Sequence, residues 1–205
     1  MTQSSLQVGN IIHVGVPQIT DYTGKFITLS PVNPQTDVVE LYECSHGSEM
    51  KEQLWTYMSY GPFKNKYNMQ KWLEDCAESD DPIFFAVHHL KSKQRVGMVS
   101  FLNIVSDMRR LELGHIWYSP DYQRSNVNTE AIYLMLCEAF DRLKYRRVEW
   151  KCDSLNERSR AAALRLGFKF EGIFRQHMII KGRNRNTAWY SMLDSEWTVV
   201  KKNNV

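Results

Sequence analysis

The central part of the chain alternates apolar and polar residues. Leu111–Tyr118 is rich in residues that favour β-structure, and its period of two predicts a strand. One face would carry Leu111, Leu113, His115 and Trp117, and the other Glu112, Gly114, Ile116 and Tyr118. Pro120 ends this strand, because proline cannot donate to a ladder.

A polar loop and a second apolar run follow this strand. Ala131–Cys137 carries no charge, which predicts a helix that is buried nearly all round. Asn128 or Thr129 is the predicted cap of this helix, with Glu130 in its first turn. A polar loop before a helix N-terminus suits a phosphate, since free N–H groups and the helix dipole both attract an anion.

Similar patterns predict the remaining elements. Strands are predicted at Lys25–Pro31, Ile83–His89, Arg95–Val105, Arg147–Cys152, Gly172–Lys181 and Thr187–Leu193. Helices are predicted at Gln35–Ser45, Ser48–Met58, from a cap at Asn68 to Cys76, and at Glu157–Leu166. This order predicts an α+β fold, with one mixed sheet and helices on both of its faces.

Length and composition indicate one domain. The chain has 205 residues, of which 43% are apolar and 24% charged, enough for a substantial core. Residues 1–24 are polar and broken by Gly9, Gly15 and Pro17, which predicts an extended, partly disordered arm. Residues 25–205 form the predicted single domain.

Charge narrows the range of partners. The net charge of +3 suits a coenzyme with several phosphates as well as it suits nucleic acid. The basic run Lys181–Arg185 is short and lies between two predicted strands, so it is interpreted as a solvated hairpin tip without a nucleic-acid role. No apolar run reaches the length of a membrane span, and the N-terminus lacks a signal-peptide pattern, so no membrane partner and a cytoplasmic location are expected.

No metal site is predicted. The four cysteines, at positions 44, 76, 137 and 152, lie far apart in the sequence and are expected to be reduced thiols. His88 and His89 are adjacent on a predicted strand, so they point to opposite faces and cannot share a metal.

Two motifs together resemble one enzyme family. The first is Pro-Asp-Tyr-Gln-Arg-Ser-Asn-Val-Asn-Thr-Glu-Ala at residues 120–131, and the second is Asn-Glu-Arg-Ser-Arg-Ala-Ala-Ala-Leu-Arg-Leu-Gly-Phe at residues 156–168. They resemble the GNAT superfamily of N-acetyltransferases, and most of all its RimJ/RimL-type branch. Phe170–Arg175, Arg183–Tyr190 and Ser195–Trp197 also fit, so the resemblance covers about residues 25 to 197.

The resemblance implies a fold and a cosubstrate. In this fold the strands Leu111–Tyr118 and Arg147–Cys152 are parallel and splay apart at one end of a mostly antiparallel sheet. The thioester arm of acetyl-CoA lies in the gap and bonds to the backbone of the first strand, here at Ile116, Trp117 and Tyr118. The pyrophosphate is expected to lie against Gln123, Arg124, Ser125, Asn126, Val127, Asn128 and Thr129.

The phosphate loop departs from the family pattern, which reads Gln/Arg-x-x-Gly-x-Gly/Ala. Gln123 is in place, but Asn126 and Asn128 hold the glycine positions. Asparagine tolerates left-handed backbone better than most residues, so the loop is expected to keep its shape. Arg124 can add a charge to a phosphate.

Acetyl transfer to an amine needs a neutral nucleophile, a donor for the thioester carbonyl and a proton for the leaving thiolate. Glu112 is the candidate general base, although it could instead be a structural carboxylate paired with Arg109 or Arg110. His177 is an alternative base. The resemblance places Asn156 on the pantetheine arm and Ser159 near the sulfur as an acid, whereas both residue types are also common at helix starts.

The acceptor is not fixed by these residues. Tyr60, Phe63 and Tyr67 are predicted to form an aromatic wall of the acceptor site, while Trp55 and Trp72 are interpreted as core residues. The predicted function is transfer of the acetyl group to a primary amine, of a small molecule or a protein N-terminus, by direct attack in a ternary complex. A catalytically idle acyl-CoA sensor or interaction domain is the alternative, and pairing of the two C-terminal strands across subunits is a route to a homodimer.

Overall fold

The computed structural model describes residues 14–203. Within this range one sheet contains eight strands. They are β1 (Tyr22–Thr23), β2 (Ile27–Pro31), β3 (Ile83–His89), β4 (Gln94–Val105), β5 (Arg110–Tyr118), β6 (Arg147–Asp153), β7 (Lys169–Ile180) and β8 (Arg183–Leu193). The helices are α1 (Pro34–Ser45), α2 (Glu49–Glu52), α3 (Lys66–Glu78), α4 (Asn126–Leu136), α5 (Glu157–Arg165) and α6 (Asp194–Asn203).

The sheet contains one parallel pair. Its strand order is β1-β2-β3-β4-β5-β6-β8-β7, and every neighbouring pair except β5–β6 is antiparallel. Parallel strands need a long crossover, which α4 supplies. Pairing joins Arg110–Leu113 to Arg147–Trp150 only, while β5 runs on to Tyr118 and β6 to Asp153. The two strands therefore separate at their C-terminal ends, and the predicted α+β fold with its splay is confirmed.

Helices cover both faces of the sheet, as predicted. The main core lies on one face and includes residues of α4, α5 and α6, such as Val127, Ala163 and Trp197. A second apolar cluster lies on the other face and includes residues of α1 and α3, such as Leu41 and Leu73. The predicted helix at Ser48–Met58 is instead the short helix α2 followed by a 3₁₀ turn over Gln53–Trp55.

Strand β5 contains a bulge that the alternation rule did not anticipate. Gly114 pairs with Ser100 and Trp117 with Met98, so His115 and Ile116 lie opposite the single residue Val99. The backbone of His115 is left-handed, with φ of +52°. An extra residue reverses the faces beyond it. Leu111 and Leu113 pack in the main core while Trp117 packs in the second cluster, so the prediction that they share a face is wrong.

Glu112 changes its expected neighbours for the same reason. It pairs with Leu102, on the face that also carries Ser100 and Met98. The sequence placed Glu112 opposite His115 and Trp117. The bulge instead brings all three to the same side of the sheet, which is the side of α1 and α3.

Two helices begin earlier than predicted. Ser125 caps α4, with its Oγ accepting from the N–H of Val127 at 3.3 Å, so Asn128 and Thr129 are not caps. Asn65 caps α3, with its Oδ1 accepting from the N–H of Asn68 at 2.9 Å. In both cases an extended residue before the first turn provides the cap, and the predicted cap lies inside the helix.

Glu130 is therefore outside the first turn of α4, and its carboxylate is a hydrogen-bond acceptor for another segment. It accepts hydrogen bonds from the backbone N–H groups of Lys25, Phe26 and Ile27 at 2.6, 2.7 and 2.8 Å. Gly24 permits this approach, because a Cβ there would lie 2.4 Å from Cδ of Glu130. The helix that would carry the phosphate site is thus fastened to the start of β2.

Two further predictions concern the N-terminal arm and the basic run of the C-terminal hairpin. Of the predicted N-terminal arm, residues 1–13 lie outside the described residues. The carbonyl of Gly15 accepts from Tyr145 Oη at 3.2 Å, and the N–H of Gln18 donates to Glu138 at 3.0 Å. The basic run at the C-terminal hairpin is mostly strand, because β8 already begins at Arg183. None of the helices in residues 14–203 combines the length and apolarity needed to cross a bilayer.

Candidate functional site

The gap between β5 and β6 exposes backbone where a ligand could pair. Ile116, Trp117 and Tyr118 all lie beyond the last residue of β5 that pairs with β6. The side chains of Trp117 and Tyr118 are 4% and 6% exposed and belong to opposite cores. The backbone edge of these residues is therefore what they offer to a ligand, since an unpaired strand edge carries free N–H and C=O groups.

The N-terminus of α4 lies at the end of this gap. Pro120–Tyr122 forms a 3₁₀ turn, and Ser125 begins the helix. Asn126, Val127, Asn128 and Thr129 all lie within the helix, so neither asparagine needs the left-handed backbone that asparagine tolerates. Arg124 is the left-handed residue of the loop, with φ of +58°. The helix start combines free N–H groups with a positive dipole end.

Two arginines that sequence reasoning missed reach this loop from α5. Arg158 donates to Oε1 of Gln123 at 3.5 Å, and Arg165 donates to Oγ1 of Thr129 at 2.8 Å. Arg124 is exposed in the same loop, so three arginines lie in or contact the segment from Gln123 to Thr129. A spacing of seven residues puts Arg158 and Arg165 on one helix face, and this was the available signal.

Asn156 and Ser159 begin α5 beside the gap. Asn156 caps the helix, with its Oδ1 accepting from the N–H of Ser159 at 3.1 Å. Ser159 Oγ accepts from the indole N–H of Trp150 at 3.0 Å, and the Ser159 side chain also hydrogen-bonds the Cys152 thiol. The capping role that was kept open is thus observed, and it leaves the amide N–H₂ of Asn156 available. Burial raises the pKa of the neighbouring Cys152 thiol, so this thiol stays protonated.

Glu112 is a buried carboxylate with an unexpected partner. It is 5% exposed. Its Oε2 accepts from Nδ2 of Asn103 at 2.7 Å and forms an ion pair with Nζ of Lys151 at 2.8 Å. The structural alternative, a carboxylate paired with a neighbouring cation, is thus observed with Lys151 as the partner in place of Arg109 or Arg110, and Arg110 lies 3.9 Å from Glu149. The hydrogen bond from Asn103 and the ion pair with Lys151 thus engage the same oxygen, Oε2.

A ladder of charges continues from Lys151 across the sheet. Lys151 also pairs with Glu149 at 3.0 Å, and Arg147 donates to the other oxygen of Glu149 at 2.9 Å. Burial pushes the pKa of Glu149 up, but the hydrogen bonds from Arg147 and Lys151 outweigh it and leave the pKa below its ordinary value. Arg147 also lowers the pKa of Glu171 to about 2, with two hydrogen bonds of 2.7 and 2.6 Å. The carboxylates of Glu149 and Glu171 are therefore ionised at neutral pH.

The predicted aromatic wall forms in part. Tyr60 and Phe63 both pack on Trp72, with ring centroids 4.4 and 5.2 Å apart. Tyr67 is 62% exposed and contacts Lys71, so its place in the wall is wrong. Trp55 is fully buried, which confirms it as a core residue.

Two histidines contact residues 55–63, which we call the aromatic segment. His46, which sequence reasoning missed, accepts through Nε2 from the N–H of Phe63 at 2.8 Å. His115 lies 3.1 Å from Tyr60 Oη through its Nδ1. Burial lowers the pKa of His46, and it lowers the pKa of His115 to about 4. Both rings are therefore neutral near pH 7, and His115 is the interior histidine that was predicted.

The same segment crosses the end of the gap. Tyr57 Oη donates to the carbonyl of Leu155 at 3.1 Å, just beyond β6. Lys181 Nζ, at the tip of the β7–β8 hairpin, donates to the carbonyl of Trp55 at 2.7 Å. These contacts join the aromatic segment to the opposite side of the splay.

Among residues 14–203, no three His, Cys, Asp or Glu side chains converge in a group suited to a metal.

His177, the alternative base, lies on the edge strand β7. It is exposed, and its Nδ1 is 3.0 Å from Oγ1 of Thr187. Its ring contacts those of Phe174 and Trp189.

Comparison with known proteins agrees with this architecture. The model of the acetyltransferase (GNAT) domain family matches residues 27–169. A GCN5-related N-acetyltransferase from Brucella melitensis is 40% identical, with a TM-score of 0.93 over 96% of this chain and 89% of that one. A GNAT-family protein from Chromobacterium violaceum is 34% identical, with a TM-score of 0.88 over 97% and 98% of the two chains. The chain therefore belongs to the GNAT acetyltransferase family, as its motifs predicted.

A curated relative agrees with the predicted branch. YdaF of Bacillus subtilis, whose name proposes a ribosomal N-acetyltransferase, is 32% identical over 101 residues. That match covers 49% of this chain, and this chain spans only 55% of the length of YdaF.

Proposed function

We propose that this protein moves the acetyl group of acetyl-CoA to a primary amine by direct attack in a ternary complex. The observation that carries the proposal is the gap between β5 and β6, with a cationic helix start at one end and the buried carboxylate of Glu112 on the opposite face. The acceptor is proposed to be a small-molecule amine or a protein N-terminal amine. Residues 25–205 would form the acetyltransferase domain.

The residues along the gap fit acetyl-CoA. The start of α4, from Gln123 to Thr129, would hold the pyrophosphate, with Arg124, Arg158 and Arg165 supplying charge. The backbone of Ile116–Tyr118 and the amide of Asn156 would bind the pantetheine arm. Tyr118 Oη and Asn128 Oδ1 are buried and lack a hydrogen-bond partner among the described residues, and such atoms fit a site that a polar ligand completes.

Glu112 and Ser159 would handle the protons. Oε1 of Glu112 would take a proton from the acceptor ammonium, directly or through water, and so free the nitrogen lone pair. As the new C–N bond forms and the C–S bond breaks, the hydroxyl of Ser159 would give its proton to the leaving thiolate and regain one from the attacking nitrogen, which sheds its second proton as the amide forms. Proximity in a ternary complex can contribute up to about 7–11 kcal/mol in well-oriented cases.

The idle binding domain has no observation in its favour. Its support was the replacement of loop glycines by Asn126 and Asn128, but both residues are helical and need no left-handed backbone.

Thiol release from acetyl-CoA against a panel of amines tests the proposal. The panel contains peptides with free N-termini, polyamines, aminoglycosides and aminoacyl adenylate analogues. We expect release that depends on one amine class, together with binding of acetyl-CoA measured by calorimetry. Coenzyme binding without release on any amine would favour the idle domain, and absence of both would refute the proposed coenzyme site.

Replacement of Asn156 separates coenzyme contact from helix capping. We expect Asn156→Ala and Asn156→Ser each to raise the Kd for CoA about 5- to 30-fold, because each removes the amide that would bind the pantetheine arm. Serine caps a helix about as well as asparagine, so only the alanine variant should also lose stability. An unchanged Kd in Asn156→Ser, measured by calorimetry, would remove Asn156 from the coenzyme site.

A further inference from the structure

A cluster of rings lies on the open face of the C-terminal hairpin. We call it the aromatic face, and it consists of Phe174, His177 and Trp189. Phe174 lies 4.6 Å from Trp189 and 5.5 Å from His177 between ring centroids. Phe174 is 52% exposed although it is a large apolar side chain. Exposed aromatic rings in contact with each other often mark a binding surface.

Within residues 14–203, the helices on this side of the sheet pack mainly on other strands. On the same side of the sheet, α1 packs on β4 and α3 packs on β3. The opposite side of the hairpin is different, because Tyr190 there accepts from Nε of Arg160 on α5. Phe170 packs on Tyr190 and so points to that other side, although it is also 48% exposed.

The aromatic face lies close to the candidate base. Lys151 Nζ is 3.9 Å from the ring centroid of Trp189 and 2.8 Å from Oε2 of Glu112. The ring centroid is therefore less than 7 Å from the carboxylate. One amino-acid residue, with about 3.8 Å between consecutive Cα atoms and a side chain at an angle to the backbone, spans such a separation.

The surroundings of Lys151 indicate that this region accommodates a cation. Its ammonium group lies between the carboxylates of Glu112 and Glu149 and over the indole of Trp189. A cation near acidic oxygens and an aromatic ring is held by both Coulomb attraction and the ring quadrupole. Oε1 of Glu112 remains available for a second ammonium group on the same face.

We propose that the acceptor carries a bulky apolar or aromatic group next to its primary amine, as a peptide with N-terminal phenylalanine or leucine does. Its amine lies at Glu112 and its side chain packs on the aromatic face. Aromatic rings bury a large area against such a group and orient it by edge and face contacts. This inference rests on the proposed function, because Glu112 fixes the position of the amine.

Calorimetric binding of two amides to the CoA-saturated protein tests the inference without turnover. Phenylalaninamide and glycinamide carry the same α-amine and differ in the benzyl group. We expect phenylalaninamide to bind at least about tenfold more tightly, from burial of that group. Phe174→Ala should abolish most of this preference. Phe170→Ala, a half-exposed phenylalanine on the other side of the same strand, should keep it.

Several outcomes would overturn the inference. These are equal binding of the two amides, binding of neither amide, or equal losses in the two variants. A changed sedimentation coefficient in Phe174→Ala with an unchanged amide preference would instead assign the aromatic face to a contact between copies of the chain. Thiol release with glycinamide but no preference would leave the proposed function intact, and selective binding without thiol release on any amine would refute only the function.

Discussion

Replacement of Glu112 by glutamine is expected to lower kcat/KM for the acceptor by about 10²–10⁴ at pH 7, the usual contribution of a general base. The amide keeps the size of the side chain but cannot accept a proton from the acceptor ammonium. Lys151 and Asn103 both engage Oε2 of the carboxylate, and Oε1 is the oxygen proposed to take the proton. Thiol-release kinetics with the amine identified from the panel measure the loss, and Kd for CoA should stay unchanged.

Glu149→Gln is the matched control for this experiment. Glu149 is also 5% exposed and also pairs with Lys151, but cations occupy both of its oxygens. We expect this variant to keep most of the activity. Activity near wild type in Glu112→Gln, or equal losses in both variants, would show that the carboxylates serve the charge ladder and that neither is the base.

Replacement of Glu130 by alanine is expected to destabilise the fold by about 2–4 kcal/mol. Three backbone N–H groups of Lys25, Phe26 and Ile27 lose their shared acceptor. Single hydrogen bonds to a charged group contribute about 1.5–3 kcal/mol each, and we expect partial exposure to hold the total below the sum of about 4.5 kcal/mol that three of the weaker ones would give. Urea unfolding followed by circular dichroism measures the change.

The control for Glu130 is Glu78→Ala, at the exposed end of α3. An exposed helical glutamate away from such contacts should change stability by less than about 0.5 kcal/mol. Glu130→Gln should fall between the two variants, because the amide keeps one acceptor oxygen but not the charge. A loss in Glu130→Ala as small as in the control would mean that water replaces the carboxylate at little cost.

Local patterns predicted the elements that depend on neighbours along the chain. The strand Ile83–His89 has the predicted bounds, and the helix predicted at Gln35–Ser45 begins one residue earlier, at Pro34. The order of elements predicted a mixed sheet with helices on both faces, and the family resemblance implied its parallel pair. Motif resemblance then predicted the family, which the family model and the solved structures confirm.

Long-range contacts decided the details of the candidate site. The ion pair between Glu112 and Lys151 joins residues on two strands, and no local pattern distinguishes Lys151 from any other charged strand residue. The caps of α3 and α4 were misplaced because several neighbouring residues can each cap a helix, and the packing of the whole helix selects one of them.

The sequence by itself determined the fold class and the family, because periodicity and motifs are properties of neighbouring positions. Only the tertiary structure decided which way the side chains of β5 point. A single extra residue at His115 reverses the faces beyond it, and whether a strand accepts such a bulge depends on its partner, here β4. That one residue puts Glu112 on the same side as the aromatic segment that lines the proposed acceptor site.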